Sequence, residues 1–200
     1  HQGLPENLRA RALRVAGWFA CKQGNYVDAR RFAQESLQIC RGQQDATELA
    51  VALNLFAAVC AQDGDFDQAR RCSEEALDLW RMLGNAAGIT GTMQTLGSLA
   101  LKAGDLANAE RLFEEVLLRR RADADVSYVA ASLLDLGHLA RMQGKLQDAR
   151  ARYLESLELG RQLADKTVIG WAQSEIARVC LLEGWTEQAP AHLQECLEVW

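Results

Sequence analysis

Three histidines, six cysteines and several adjacent carboxylates are the residues of this 200-residue chain with the types to do chemistry. A zinc site or a histidine-based triad needs its members brought together. His1, His138 and His192 each stand apart, and the one close pairing is His192 with Cys196, a helical turn away. Two ligands with no others nearby do not make a zinc site. Cys21, Cys40, Cys60, Cys72, Cys180 and Cys196 form no C-x-x-C pair. In a chain this long and this apolar they are expected to be reduced thiols of a cytoplasmic protein. Glu74-Glu75 and Glu114-Glu115 have the residue type for general acid–base work. They fall, however, on stretches where charged residues form a solvated helix face. Gly144-Lys145 begins like a phosphate loop, but Leu146 follows where Ser or Thr is required and the first glycine is missing. No G-x-G-x-x-G, G-x-S-x-G or H-E-x-x-H occurs. The expectation is a chain with no catalytic residue, no metal ligand and no cofactor.

Bulk properties narrow the partners. Hydrophobic residues make up 49% and charged residues 24%, as in ordinary globular chains. The net charge of −5 argues against direct binding of nucleic acid. No apolar run approaches the roughly 20 residues that span a bilayer, so no membrane partner is expected. His1-Gln2-Gly3 opens the chain without a methionine or a signal peptide, which suggests a fragment or a processed chain.

The elements that position these residues announce themselves by repetition. Gly24, Gly64, Gly104, Gly144 and Gly184 are spaced by 40, as are Ala29, Ala69, Ala109, Ala149 and Ala189, and Leu37, Leu77, Leu117, Leu157 and Leu197. Gly17, Ala57, Gly97, Gly137 and Ala177 form a small-residue column in the same register. A single repeat domain over 1–200 is expected, with repeats at about 5–44, 45–84, 85–124, 125–164 and 165–200. Each repeat reads as two helices. In the third, Met93, Leu96, Gly97 and Ala100 share one helical face, Gly104-Asp105 breaks the pattern, and Ala109, Leu112, Phe113, Val116 and Leu117 resume it. Short side chains allow close approach, so Gly97 and Ala109 mark the expected crossing of the pair. Asp45, Asn85, Asp125 and Asp165 stand where N-caps belong, and Asp45 with Glu48 is close to a capping box. Pro190 falls near the first turn of the last helix, where proline is tolerated.

These columns resemble the tetratricopeptide repeat: a large residue, Leu-Gly, a turn glycine, Ala, an aromatic and Ala. The third repeat supplies Met93, Leu96-Gly97, Gly104, Ala109, Phe113 and Val116, and the fourth Leu133, Leu136-Gly137, Gly144, Ala149 and Tyr153. The period of 40 exceeds the family's usual 34 or so, the first-helix aromatic is replaced by Ala or Cys, and the closing proline is absent. The extra residues are expected to lengthen the helices at each joint. Longer repeats of this sort are similar to those of bacterial signalling proteins and transcription activators of the maltose-regulator class, and to those of eukaryotic polarity adaptors that hold extended peptides.

The resemblance implies an all-α, right-handed superhelical α-solenoid of five antiparallel helix pairs, TPR-like, with first helices lining a concave surface. It thereby nominates a peptide-binding set: Arg11, Arg14, Trp18 and Lys22 in the first repeat, Asn54 and Gln62 in the second, and Gln94 and Lys102 in the third. His138 and Arg141 follow in the fourth, and Trp171 and Arg178 in the fifth. The 25 inner positions hold six Arg or Lys and no Asp or Glu, although acids outnumber bases in the chain, 27 to 22. A concave surface of one sign attracts the opposite charge, and Arg grips carboxylates through paired bonds. The function expected is a non-catalytic scaffold holding an acidic or extended peptide segment. The alternative is a sensor or regulatory arm of a larger multidomain signalling protein or ATP-dependent transcription activator. The family's carboxylate clamp fits poorly, because Trp18 stands where it has Asn. Finally, Leu193, Cys196, Leu197 and Trp200 form an apolar stripe on the last helix. An end-to-end homodimer or further repeats, through Leu193, Leu197 and Trp200, is the expectation for it.

Overall fold

The structure, a computed structural model, describes residues 5–199. His1 and Trp200, both part of the sequence reading, lie outside the described residues. Ten α-helices and no strand occur among them: α1 Glu6–Lys22, α2 Tyr26–Arg41, α3 Ala46–Gln62, α4 Phe66–Met82, α5 Ala86–Lys102, α6 Leu106–Ala122, α7 Val126–Met142, α8 Leu146–Gln162, α9 Lys166–Leu182 and α10 Ala189–Val199. They fall into two compact units, one ending at Ala103 and holding α1–α5, the other beginning at Gly104 and holding α6–α10.

The punctuation is local chemistry. Gly24 takes φ 75° and Gly104 φ 78°, left-handed values that glycine adopts without a Cβ clash, so this column stops each first helix. The expected caps form. Asp45 accepts from the backbone N–H of Thr47 and Glu48 at 3.0 and 3.1 Å, Asn85 from Gly88 at 2.8 Å, and Asp165 from Thr167 and Val168 at 2.9 and 3.1 Å. Asp125 accepts more weakly from Tyr128, at 3.5 Å. Asn25, Asp65 and Asp105 cap second helices in the same way, from a column the sequence reading did not single out. The Asp45–Glu48 capping box does not close, because the Glu48 carboxylate reaches α1 instead. The last helix starts late, at Ala189. Pro190 has no N–H to bond the carbonyl four residues back, so regular bonding cannot include that turn.

Within a unit, second helices pack between first helices. The first core gathers Leu53, Phe56, Val59 and Trp80 with Cys40, Cys60 and Cys72; the second gathers Tyr153, Leu157, Ile176, Val179 and Cys180. Each large apolar side chain buried this way contributes about 1.5–3 kcal/mol. A polar latch recurs at one place: Ser36 Oγ donates to the Ala10 carbonyl (2.9 Å), Ser156 Oγ to Ala130 (2.8 Å) and Cys196 Sγ to Gly170 (3.4 Å). Glycine also permits close crossing. A Cβ on Gly137 would stand 2.4 Å from Tyr153 Cε1, and one on Gly88 2.4 Å from Trp80 Cδ2. Successive repeats are joined by charge. Arg30 on α2 bonds Asp63 (2.9 Å) and Asp65 (3.0 Å) in the following turn. At the same register in the second unit, Glu110 on α6 meets Gln143 (2.9 Å) and Lys145 (3.6 Å).

Two turns between repeats carry strain. Ala124 and Ala164 sit at φ 53° and 52°, where Gly84 occupies the matching turn with φ 63°. A left-handed Cβ costs about 1–2 kcal/mol, while glycine loses about 0.5–1 kcal/mol in backbone entropy. Ala124→Gly and Ala164→Gly are therefore each expected to stabilise the chain by a few tenths to about 1 kcal/mol. Chemical denaturation measures this, and a loss of stability at both positions contradicts it.

Candidate functional site

All twelve nominated residues lie on first helices, and none is buried. In the first unit, α1 and α3 enclose an open recess of about 440 Å³ lined by Arg14, Val15, Trp18, Val51, Asn54, Leu55 and Ala58. Its walls are mainly apolar. Trp18 stands about half exposed, stacks edge-on with Phe19 at 5.0 Å and lies under the Lys22 ammonium at 5.6 Å. The stem and charge of Lys22 thus hold the indole in place. Asn54 exchanges hydrogen bonds with Thr92 on α5, at 3.1 and 3.2 Å, which fixes its amide at the floor. Gln94 is half-buried on α5. Gln62 and Lys102 are exposed at helix C-termini, Lys102 resting over the Phe66 ring at 5.6 Å.

In the second unit, a recess of about 320 Å³ between α7 and α9 is lined by Ala131, Leu134, Asp135, His138, Trp171 and Glu175. Glu175 is its electrostatic centre. Arg141 Nε lies 3.4 Å and Arg178 Nη2 3.5 Å from its carboxylate, and the Tyr153 hydroxyl donates to it at 3.4 Å. Burial, and then the adjacent Glu175 charge, hold the Tyr153 hydroxyl well above its ordinary pKa. Burial lowers the His138 pKa, and the Arg141 charge adds to it. The neutral ring accepts the Arg141 guanidinium at Nδ1, 3.0 Å away. His138 is therefore a fixed acceptor in this network.

The uniformly basic surface expected from the sequence is corrected here. Glu48 on α3 pairs with Arg11 (2.7 Å) and Arg14 (3.4 Å), and Glu175 with Arg141 and Arg178. Four of the six nominated cations thus have a carboxylate at hand, and Lys22 and Lys102 have aromatic rings. These acids sit on helix positions outside the five counted per repeat. The available signal was their spacing: Glu175 precedes Arg178 by three residues, one turn of the same helix. Val15, Leu55 and Asp135 line the recesses from the same uncounted position.

Chemistry of a reactive kind has little footing here. Burial raises the thiol pKa of Cys60 to about 11, and raises those of Cys40 and Cys72, which keeps them protonated and weakly nucleophilic. His192 bonds Gln173 (2.6 Å), while Cys196 bonds the Gly170 carbonyl, so the pair noted in the sequence faces two different partners. No group of three His, Cys, Asp or Glu suited to a metal occurs among the described residues. Nor is any described helix long and apolar enough to cross a membrane.

A family model for the tetratricopeptide repeat matches residues 8–82, 48–122, 89–162 and 128–200. No curated protein sequence matches the chain. Among solved structures, BtubC (BKLC) from P. vanneervenii is similar with a TM-score of 0.80 at 20% identity, over 94% of this chain and 78% of that one. A Rap protein complexed with competence and sporulation factor is similar with a TM-score of 0.88 at 15% identity, over 98% of this chain and 55% of that one. The Rap conjugation gene regulator of plasmid pLS20, in complex with the Phr* peptide, gives 0.79 at 16% identity, over 92% and 51%. The chain spans about half the length of these two Rap proteins.

Proposed function

This chain belongs to the tetratricopeptide repeat family, and on that premise we propose that it is a non-catalytic cytoplasmic scaffold whose first helices hold an extended peptide segment of a partner protein. The observation that carries this reading is the α1/α3 recess. It is open and mainly apolar, floored by an amide pinned by Thr92, and edged by Arg14 and by the Trp18–Lys22 stack. Such a recess takes an apolar side chain, while Arg11, Arg14 and Lys22 together carry more positive charge than Glu48 cancels. The segment is therefore apolar at one residue and acidic beside it, a chemistry that suits the aromatic anchor and charged rim of binding sites. The pLS20 Rap regulator, of the same fold, is seen in complex with a peptide. Because the Rap proteins are about twice this length, the same site also suits a regulatory arm of a larger protein.

The test is binding of a fluorescent acidic peptide library, compared with a neutral library of the same apolar content, by anisotropy. Acidic peptides should bind more tightly, and less so as salt screens the exposed charges. The triple variant Arg11→Glu, Arg14→Glu, Lys22→Glu, all on α1 beside the recess, should lose at least roughly tenfold, since one hydrogen bond to a charged group is worth about 1.5–3 kcal/mol. Equal binding of the acidic library to that variant and to the unaltered chain sinks the proposal.

A further inference from the structure

The bond between Arg141 and His138 decides what the rest of that imidazole can do. A guanidinium has N–H donors and no acceptor, so His138 Nδ1, 3.0 Å away, must be the lone-pair nitrogen. The ring is neutral, because burial and then the Arg141 charge lower its pKa, with a further push from Arg178. A neutral imidazole carries its one proton on the nitrogen that does not accept. Nε2 is therefore an N–H donor, in a tautomer set by what Nδ1 receives. The ring is half-buried and lines the α7/α9 recess, so the structure holds a donor of fixed identity at that place.

The neighbours of that donor narrow the ligand. His138 stands in the column Trp18, Ala58, Ser98, His138 and Arg178, so α7 and α9, consecutive first helices, both place N–H donors there. Arg178 is about half exposed and gives Glu175 one end of its fork at 3.5 Å, which leaves further N–H groups for a ligand. Glu175 is already answered by two guanidinium groups and the Tyr153 hydroxyl. Asp135, the other carboxylate of the recess, has a partner of its own. Ala131, Leu134 and the Trp171 ring give the recess its apolar walls. We propose that the α7/α9 recess is a second site for an acidic residue, in which His138 Nε2–H and Arg178 together hold the carboxylate of an Asp or Glu while the apolar side chain beside it lies on Leu134 and Trp171. Two donors set side by side reject a lysine or arginine, whose ends only donate. The class of ligand rests on the acidic-peptide reading, but the site uses no residue of α1 or α3.

NMR of the histidine ring nitrogens in the 200-residue chain tests this. The chain carries Arg11→Glu, Arg14→Glu and Lys22→Glu, which take the α1/α3 recess out of play, so the two proposals fail separately. His138, assigned by the loss of its signals in His138→Asn, should show the Nε2–H tautomer before any ligand is added. The probe acetyl-Phe-Glu amide should move its Nε2 resonance, and acetyl-Phe-Gln amide and acetyl-Phe-Lys amide should not. In titrations with the Glu probe, His138→Asn should bind about tenfold more weakly. Its short amide still accepts from Arg141 but stops short of the ligand. His138→Gln, whose amide nitrogen reaches the place of Nε2, should bind like the unaltered ring, a rescue that a merely structural role does not give. Arg178→Gln, at an exposed position, should also weaken binding about tenfold, and it reports even where a change at His138 disturbs folding. Four results overturn the proposal: an Nδ1–H tautomer, a Glu probe that leaves Nε2 unmoved, a Gln probe that acts as well as the Glu probe, or binding unaltered by Arg178→Gln.

Discussion

Gly137→Val unfolds the chain more readily by about 3 kcal/mol or more, the upper end of the overpacking range, in chemical denaturation. The new side chain arrives where Tyr153 already is: even a bare Cβ would be 2.4 Å from Cε1, 2.7 Å from Cδ1 and 2.9 Å from Cζ. Tyr153 is fully buried in the second core and its hydroxyl is bonded to Glu175, so the ring has nowhere to turn. Tyr153→Ala alone leaves a cavity costing about 3–5 kcal/mol. The two changes share one space, so the double variant should lose clearly less than the sum of the singles. Gly91→Ala supplies the contrast. Nothing lies within 4 Å of its Cβ, so the better helix former should stabilise by about 0.5–1 kcal/mol. Additive losses at Gly137 and Tyr153 would mean that the two do not compete for the same volume.

Glu175→Ala is expected to have two effects of opposite value. The carboxylate and Arg141 are each mostly buried, at 13% and 17% side-chain exposure, so removing the acid leaves a guanidinium poorly compensated. Stability should fall by about 2–3 kcal/mol, less than the roughly 3–5 kcal/mol for a fully buried pair. At the same time Arg141 and Arg178 become available to an acidic ligand. Affinity for an acidic peptide should rise about tenfold, the equivalent of one charge-assisted bond near 1.4 kcal/mol. Denaturation and anisotropy on the same preparation read both. A stability loss with unchanged affinity would show that the ligand does not reach α7 and α9.

The sequence spoke most clearly where a single residue has a single backbone duty. Glycine every 40 positions meant a left-handed turn, and Asp or Asn before four of the five first helices meant a cap. Both are local bonds, written within four residues of chain. The small-residue column foretold a close crossing, realised at Gly137 under the Tyr153 ring. The electrostatics of the site were harder to read because they are made between repeats. Arg11 finds Glu48 thirty-seven positions on, and Arg141 finds Glu175 thirty-four on. Five positions per helix leave out Glu175, one place beyond the set, and Glu48, three places before it. Likewise, the late start of α10 turned on one missing N–H at Pro190 overriding the 40-residue register.

The exchange of sign between Arg30 with Asp63 and Asp65, and Glu110 with Gln143 and Lys145, gives the repeats an order. Spliced ahead of the second repeat, the third would bring Glu110 against two aspartates. The first, set ahead of the fourth, would bring Arg30 against Lys145. The modules share a spelling but obey a syntax, and a duplicated or shuffled copy inserted at the wrong place meets a neighbour of its own charge. Recombination within such a gene is thereby filtered at the joints, before any partner is consulted.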